Sequence, residues 1–488
     1  MILFLVLLLL FPALVCAQVK AFPTAEGFGA ASVGGRGGVV CPVTDTSDSG
    51  SPGSLRYCLM LNQPRTVIFR TSGTITLTDV IQSPSPYLTI AGQTSPGGIQ
   101  IKGNQSTSPT NWGIWFTSGS HDIIIRHLRV RTGGGNQDDA GANLLFYSTT
   151  SPIYNVIVDH CDFEWGSDSQ LQFYGGDGHD FTSQWNLIAE GAQNSANENG
   201  KGDHIGGFGG FPTRMSVHHN AYVNNYQRVP LVQHGSVIDF RNNVIYNWGG
   251  NNGAVFGQYG THHSVFANVI NNIWLVGPQS GTPFLALGNG GPVDVAGGSA
   301  EAGGTKVFLS GNWGPGCTSG CADQWAGLSP NTWDRFEAFG DGATYPAPQS
   351  QFDAGSAYSV ASVTTTPTST LLATVLPVVG ATVPLRDSAS TRILTDAQTG
   401  GGTVFITSGG PWPTFSNVTP PVDSDGDGIP DAWESSHGLN PNNASDGAAI
   451  TASGYSNLEL YLNELAGDSG AAPSVPAPFN LRLFGRTP

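Results

Sequence analysis

Short runs of β-branched and apolar residues recur along the chain, and each is long enough for only one strand or two. The runs are LTI at Leu88, IIIRHLRV at Ile123, VIVDHCDF at Val156, FTSQWNLI at Phe181, MSVHHNAY at Met215, IDFRNNVI at Ile238, SVFANVIN at Ser264 and KVFLSGNW at Lys306. Their starts lie 23 to 42 residues apart, a repeat range typical of solenoids. The pattern therefore predicts an all-β solenoid, a parallel β-helix in which each coil contacts only its neighbours.

Asparagine recurs at a similar place in several of these runs, at Asn186, Asn220, Asn243 and Asn268. At a repeated bend of a β-helix, an Asn can stack on its equivalent one coil away. Its amide then forms hydrogen bonds along the ladder, which satisfies a polar group inside the solenoid. The alternative is a β-sandwich with Asn in its turns. We favour the solenoid because the local pattern repeats even though its spacing is irregular.

The first residues have the pattern of a signal peptide. The apolar run MILFLVLLLL continues to Val15 and ends in Val15-Cys16-Ala17, small residues of the kind that signal peptidase accepts. The run is too short for a comfortable membrane span, although a membrane anchor is the alternative. We therefore predict a secreted, extracellular protein without a membrane partner, whose mature chain begins near Gln18.

Composition divides the rest of the chain. We predict a signal peptide at 1–17, a β-helix domain at 18–360, a Thr/Pro/Ser-rich connecting segment packed on the solenoid at 361–421, a calcium-loop segment at 422–466 and a flexible tail at 467–488. Ser369 to Ala381 is expected to form one short helix interrupted at Pro377, and a last helix is expected around Asn457 to Leu465.

Charge limits the possible partners. Glycine is abundant, at 67 residues, whereas charged residues make up only 11% of the chain, which favours strands and turns over helices. The formal net charge of −16 makes nucleic acid an unsuitable partner. An anionic polysaccharide would need a locally basic cleft or a bridging cation. We expect a monomer.

The cysteines and glycosylation sequons fit secretion. Cys16 leaves with the signal peptide, Cys41 and Cys58 can pair, and Cys317 and Cys321 can close a small loop, which leaves Cys161 as a buried thiol. Asn-X-Ser/Thr sequons occur at Asn104, Asn417 and Asn443.

An acidic loop near the C-terminus predicts a structural calcium site. Asp423, Asp425, Asp427, Asp431 and Glu434 fall at positions 1, 3, 5, 9 and 12 of an EF-hand-like calcium loop. Ile429 would supply its backbone carbonyl at position 7, and Gly428 the sharp turn at position 6. The alternative is a solvated acidic turn. We expect the ion to attach the C-terminal segment to the solenoid.

Three arginines lie close together in one predicted strand. Arg129 and Arg131 are two residues apart and therefore point to the same face, and Arg126 points to the other unless a bulge intervenes. We expect these arginines to contact an anionic polymer along a groove. A row of charges that protects a sheet edge is the alternative.

An ordered series of motifs resembles the pectate lyase-like proteins of polysaccharide lyase family 1, and especially fungal members. The motifs are AFPTAEGFG from Ala21, GGRGG from Gly34, PGSLR from Pro52, TIAGQT from Thr89, VDHC from Val158, WGSD from Trp165, VHHN from Val217, RVP from Arg228, RNN from Arg241 and GYSNLE from Gly454. Their order is more specific than any single motif, and the resemblance extends from Ala21 to Leu465.

The resemblance implies a right-handed parallel β-helix with a groove along one face and Ca²⁺-assisted β-elimination of galacturonan. In such proteins an arginine that matches Arg228 takes the C5 proton of the substrate. Because arginine is ordinarily protonated, this role requires nearby cations that favour its neutral form. Lys201 is a further candidate that would hold the substrate carboxylate.

The match to the catalytic Ca²⁺ ligands of the family is partial. Asp168 aligns with an acidic ligand, Asn143 stands where an Asp is usual, and Gln172 stands where a second acid is common in calcium-dependent members. Asp138 or Asp139 could substitute. We therefore expect a weaker site, or one that is completed by substrate; a calcium-independent enzyme is the alternative.

Two other functions remain open at this stage. A β-helix glycoside hydrolase would need paired carboxylates about 5 to 9 Å apart, for which Asp138, Asp139, Asp168 and Asp203 are the candidates. A carbohydrate-binding solenoid without activity is compatible with the departures at Asn143 and Gln172.

Overall fold

Three parallel sheets run along the chain, and most described coils contribute one strand to each of them. The computed structural model describes residues 18–84, 86–104, 113–133, 141–167, 169–175, 178–192, 203–205, 214–232, 237–249, 253–257, 265–281, 284–288, 305–328, 331–333 and 349–468. Every strand in these ranges pairs in parallel with the strand of the next coil. The fold is thus the predicted right-handed parallel β-helix, because a sandwich would have contained antiparallel pairs.

Within the described ranges the sheets contain ten, eight and nine strands. Sheet A consists of β1 Val39–Val43, β2 Arg65–Phe69, β5 Pro86–Ala91, β8 His121–Arg126, β11 Tyr154–Asp159, β14 His179–Gln184, β17 Arg214–His218, β20 Val237–Arg241, β23 Phe266–Ile270 and β26 Lys306–Ser310. Sheet B consists of β3 Gly73–Thr76, β6 Ile99–Lys102, β9 Arg129–Arg131, β12 Asp162–Glu164, β15 Leu187–Ala189, β18 Ala221–Val223, β21 Val244–Tyr246 and β24 Ile273–Leu275. Sheet C consists of β4 Ile81–Ser83, β7 Ile114–Phe116, β10 Leu144–Ser148, β13 Leu171–Gly175, β16 Asp203–Ile205, β19 Leu231–Val232, β22 Ala254–Phe256, β25 Leu285–Gly288 and β27 Asn331–Trp333.

The helices are short and lie outside the coils. They are α1 Leu55–Met60, α2 Gln324–Leu328, α3 Gln349–Phe352, α4 Thr368–Val375, α5 Ser388–Thr399, α6 Asp431–His437 and α7 Asn457–Leu465, with 3₁₀ turns at Phe28–Ala31 and Gly92–Thr94. The helix predicted at 369–381 ends at Val375, two residues before Pro377, and the last predicted helix is α7. No helix in the described part of the chain has the length and apolar character needed to cross a membrane.

The core lies inside the three sheets and is built from side chains stacked in register. In sheet A, Val67 aligns with Ile90, Ile90 with Ile125, and Ile125 with Val158. In sheet C, the ring of Phe146 stacks on those of Phe116 and Phe173, with centroids 4.9 and 5.0 Å apart. The alternation of strand residues, which places every second side chain inward, accounts for this continuous interior.

An asparagine ladder follows the turn from sheet A to sheet B, as predicted, but with one different member. The side-chain oxygens of Asn220, Asn243 and Asn272 accept hydrogen bonds from the backbone N–H of the ladder residue one coil earlier, at 2.9 to 3.0 Å. The ladder also includes Asn312 and starts at Cys161, whose N–H donates to Asn186. Asn268 was predicted wrongly, because it lies within β23 and bonds to the backbone of Tyr358 instead.

Asn243→Ala should lower the free energy of unfolding by about 2 kcal/mol or more. Asn243 is fully buried, and its removal leaves the N–H of Asn220 and the carbonyl of Val217 without their partners, at about 1–3 kcal/mol for each buried group. Urea unfolding followed by circular dichroism measures the change, with the exposed Asn442 changed to Ala as the matched control. Equal stability of the two variants would contradict the structural role of the ladder.

The outer faces of sheets A and B are covered by other parts of the chain. Residues 18–38 lie over sheet A, where the N–H of Gly29 donates to Thr182. Residues 361–421 run back along sheet B, where α4 and α5 bury Leu371 and Ile393 against Val223 and Tyr246. This segment thus covers the outer face of sheet B with the apolar sides of α4 and α5.

The described cysteines pair as expected. Cys41 bonds to Cys58 and Cys317 to Cys321, each with Cα atoms 5.7 Å apart. Cys161 is a buried free thiol. Its position at the start of the asparagine ladder explains a cysteine inside a strand run.

Candidate functional site

Sheet C contains Gln172, one of the residues at which the sequence predicted chemistry. Trp115, Leu145 and Gln172 are aligned on three successive coils. They alternate with the core residues Phe116 and Phe146, so they point to the outer face of the sheet. This outer face of sheet C is the candidate site.

Arg228 lies close to an interior strand of the same sheet. It is three residues before β19, which pairs with β16, and β16 pairs with β13 and its Gln172. Arg228 and Gln172 are thus two coils apart, roughly 10 Å along the sheet. Arg228 is half-buried and its φ is 61°, a left-handed conformation that recurs at many non-glycine residues of the described solenoid and so does not by itself indicate function. The N–H of the next residue, Val229, donates to the carbonyl of Gly253, which secures the backbone beside Arg228.

The side chain of Asn143, a predicted calcium ligand, forms hydrogen bonds within the protein at both ends of its amide. Its buried side-chain oxygen accepts from the N–H and hydroxyl of Thr132 at 2.7 and 2.9 Å, and its amide donates to Glu164 and Gln170. Asn143 therefore braces the coil, and its prediction as a ligand is wrong. Gln172 is 8% exposed and lies on the outer face of sheet C.

Several other predicted residues lie outside the part of the chain that the structure describes. They are Asp138, Asp139, Asp168, Lys201 and the signal peptide at 1–17. Only the strand position of Asp203 is described, in β16. Asp168 directly precedes Ser169, whose carbonyl accepts from the N–H of Asn143.

The prediction that Arg126, Arg129 and Arg131 line a substrate groove is wrong. The strand expected over 123–131 bends at His127, with φ 52°, so Arg126 ends β8 in sheet A and the other two lie in β9 of sheet B. All three are at most 3% exposed. They cannot contact a polymer because protein covers both sheets at this point.

The three arginines instead form buried ion pairs with residues from distant parts of the chain. Arg131 pairs with Glu164 at 2.7 Å and with Asp387 at 2.9 Å. Arg129 pairs with the same Asp387 at 3.0 Å. Although burial opposes the charged form, the carboxylates of Glu164 and Asp387 raise the pKa of Arg131.

Asp387 and Asp468 use these ion pairs to attach separate parts of the chain to the solenoid. Asp387 also accepts from two N–H groups at the start of α5, so it joins the covering segment to sheet B. Asp468 pairs with Arg126 at 2.7 Å and accepts from Thr24 at 2.8 Å. The prediction of a flexible tail from residue 467 is therefore wrong for Asp468, which is held at the solenoid. Residues 469–488 are outside the described ranges.

Within the C-terminal acidic loop, the side chain of Asp431 does not have the role that the sequence predicted. Oxygens of Asp423, Asp425 and Asp427 lie within 4.8 Å of one another. Asp431 belongs to no such group among the described residues, since it accepts from the N–H and hydroxyl of Ser424, both at 2.7 Å. The prediction of Asp431 as a ligand is therefore wrong: it braces the loop.

Asp446, which the sequence analysis missed, comes to the loop from the following turn. Its oxygen lies within 4.8 Å of oxygens of Asp427 and Glu434. Burial, and then neighbouring carboxylates, raise the pKa of Asp427 to about 6 and that of Glu434 to about 7. The signal that could have found Asp446 is its spacing, 12 residues after Glu434, in an Asn-rich turn.

The three sequons lie in different surroundings. Asn417 and Asn443 are exposed. Asn104 is half-buried and donates to the carbonyl of Thr78. Glycosylation at the three sites stays a prediction.

Comparison with known proteins places this β-helix among relatives of similar length. No protein-family model matches the chain. Proteins named "Probable pectate lyase C" from Aspergillus terreus and Aspergillus fumigatus are each 32% identical, over 92% and 91% of this chain and 94% and 93% of theirs. The relative of that name from Emericella nidulans is 31% identical over 93% of this chain and 94% of its own. Among solved structures, a pectate lyase from Bacillus sp. N165 in complex with trigalacturonate has a TM-score of 0.47, at 16% identity over 74% of this chain and 99% of that one.

The fold and the site together define a parallel β-helix protein with its candidate chemistry on the outer face of one sheet. Identity of 32% along almost the whole chain identifies its relatives more closely. The chain belongs to the pectate lyase family, which is a family of polysaccharide lyases.

Proposed function

We propose that this protein is a secreted lyase that cleaves pectate by β-elimination, with Arg228 as the base. The observation that carries the proposal is the position of Arg228, which lies three residues before β19 of the sheet that also contains Gln172. Membership of the pectate lyase family supports elimination over hydrolysis and over binding without turnover. The signal-peptide pattern of residues 1–17 supports secretion, and we expect the enzyme to act as a monomer.

The reaction needs a base beside C5 of a galacturonate residue. Neutral Arg228 takes the C5 proton, the C5–H electron pair forms the C4–C5 double bond, and the bond from C4 to the leaving oxygen breaks. Water supplies the proton for that leaving oxygen. Lys201 is the second positive group in this proposal and would hold the substrate carboxylate, where negative charge builds up in the transition state.

A calcium ion would neutralise charge on the substrate carboxylate at this site. Asp168 and Asp139 are the proposed acidic ligands, and Gln172 on the outer face of sheet C is the proposed neutral ligand. Asn143 is excluded, because both ends of its amide are used within the coil. With one ligand fewer than predicted, we expect the substrate carboxylate to complete the coordination, as hard cations take several oxygen ligands.

A product assay tests the proposed function. The protein is incubated with homogalacturonan, methyl-esterified pectin or rhamnogalacturonan, in Ca²⁺ or in excess chelator. We expect ultraviolet absorbance to rise with homogalacturonan in Ca²⁺, because the new double bond is conjugated to the carboxylate. New reducing ends without absorbance would show hydrolysis instead, and binding without turnover would show a non-catalytic solenoid.

A further inference from the structure

The acidic groups at the C-terminal loop are buried without partners, which is unusual for carboxylates. Glu434 is fully buried, and both of its carboxylate oxygens lack a hydrogen bond within the described structure. Asp427 is 5% exposed, and its Oδ2 has no such partner either. The same holds for Oδ2 of Asp425 and Oδ1 of Asp446. Because burial of an unpaired carboxylate is strongly unfavourable, this arrangement is typical of a cation-binding site.

Nearby positive side chains do not neutralise these groups. Arg70 pairs with Asp423 at 3.0 Å, and Arg36 pairs with Glu459 at 2.9 Å. Neither arginine has an ion pair with Asp425, Asp427, Glu434 or Asp446 among the described contacts. Asp427 joins two groups of three carboxylates whose oxygens lie within 4.8 Å of one another, one with Asp423 and Asp425 and the other with Glu434 and Asp446. Most of this negative charge has no positive side chain as a partner in the described part of the chain.

We propose that Asp425, Asp427, Glu434 and Asp446 bind one calcium ion. This ion would join the loop at 423–434 to the turn at 440–447, which the sequence pattern left out of the site. Asp431 is not a ligand in this proposal, because both of its oxygens accept hydrogen bonds from Ser424. The site is separate from the proposed reaction on sheet C.

The chemistry of the ligands favours calcium over magnesium. All are carboxylate oxygens, and both oxygens of Glu434 are available for bidentate binding, which is typical of Ca²⁺. Mg²⁺ usually keeps several waters and one or two carboxylates, and the burial of Glu434 and Asp427 leaves little room for that shell.

The ion would stabilise the packing of the C-terminal segment against the first coils of the solenoid. Ile429, inside the loop, packs with Leu458 and Leu462 against Ala91 of β5. Gly428 has φ 93°, and its Cα faces Val40, Ile68 and Leu458 so closely that a Cβ would lie 3.2 to 3.3 Å from them. A loop that fits this tightly should dock best when its charges are neutralised.

Calcium titration of the full-length protein, stripped with chelator and without substrate, tests the site. Isothermal titration calorimetry with CaCl₂ is compared for wild type, Asp446→Asn and the matched variant Asp431→Asn. The tighter of the calcium dissociation constants is assigned to the C-terminal loop. We expect Asp446→Asn to raise this constant by about tenfold or more, and Asp431→Asn to change it by less than about threefold. Asn at 446 can still accept the N–H of Asn440, as Asp446 does at 3.0 Å, and both variants leave sheet C unchanged.

Thermal unfolding supplies a second readout. Calcium should raise the midpoint temperature of unfolding of wild type and of Asp431→Asn, because a ligand that binds only the folded state stabilises it. The midpoint temperature of Asp446→Asn should rise much less. In chelator Asp446→Asn should match wild type; if it does not fold, Asp425→Asn reports on the same site and should also weaken binding. Loss of binding in Asp431→Asn with no loss in Asp446→Asn would overturn the proposal, as would absence of any tight calcium binding to wild type.

Discussion

Arg228→Ala is expected to lower kcat/KM on homogalacturonan by about 100- to 1,000-fold, because the variant lacks the group that takes the C5 proton. Loss of one positioned group that acts only in the transition state typically costs about 3–4 kcal/mol. The loss should fall on kcat more than on KM if Arg228 acts in the chemical step. Initial rates from ultraviolet absorbance over a range of polymer concentrations separate the two constants.

Two variants make the result specific. Arg214→Ala removes an arginine whose side chain is 51% exposed, at the start of β17 on sheet A, and should keep wild-type rates. Arg228→Lys keeps a positive charge, so a rate near wild type would show that charge alone suffices. Full activity of Arg228→Ala would reject Arg228 as the base while leaving the family membership unaffected.

Arg131→Met is expected to lower the free energy of unfolding by about 3–5 kcal/mol, the cost of breaking a buried ion pair. Arg131, Glu164 and Asp387 are all at most 4% exposed. Removal of the guanidinium leaves Glu164 without its partner at 2.7 Å and weakens the attachment of α5 through Asp387. Met keeps much of the side-chain volume, so the change mainly removes charge.

Urea unfolding measures this loss, and Arg214→Ala is again the control. Arg214 pairs with Asp180 at 2.5 Å, but at the surface, where such a pair contributes about 0–1 kcal/mol. If Arg131→Met were as stable as Arg214→Ala, the buried network would not hold the covering segment. Limited proteolysis near α5 gives a second readout, since a loosened segment should be cut faster.

The solenoid could be predicted from the sequence because strand alternation is local. The repeated runs around Ile123, Val156 and Met215 each form a strand of sheet A, and Asn186, Asn220 and Asn243 form the ladder. The fourth asparagine was placed at Asn268 rather than Asn272 because both occur in one run, FANVINN. Only the register of β23 with β20 shows which of them reaches the turn.

The candidate site could be predicted only in part. The motif RVP pointed to Arg228, which lies three residues before β19 of sheet C. The prediction that Arg129 and Arg131 share one face of a strand is confirmed, since both pair with Asp387. Their predicted function is wrong, because the segment that covers them is more than 250 residues away in the chain. No local pattern shows that Asp387 occupies the space where a polymer was expected.

The sequence by itself determined the strands, the turns and the acidic character of the C-terminal loop, whereas the cysteine pairs it allowed were established by the structure. Each of these depends on residues that are near one another in the chain or on a pattern repeated in every coil. The tertiary structure decided which faces are covered and which charges meet. Arg131 meets Asp387, and Glu434 meets Asp446 rather than Asp431, because folding brings separate segments to the same outer surface of the solenoid.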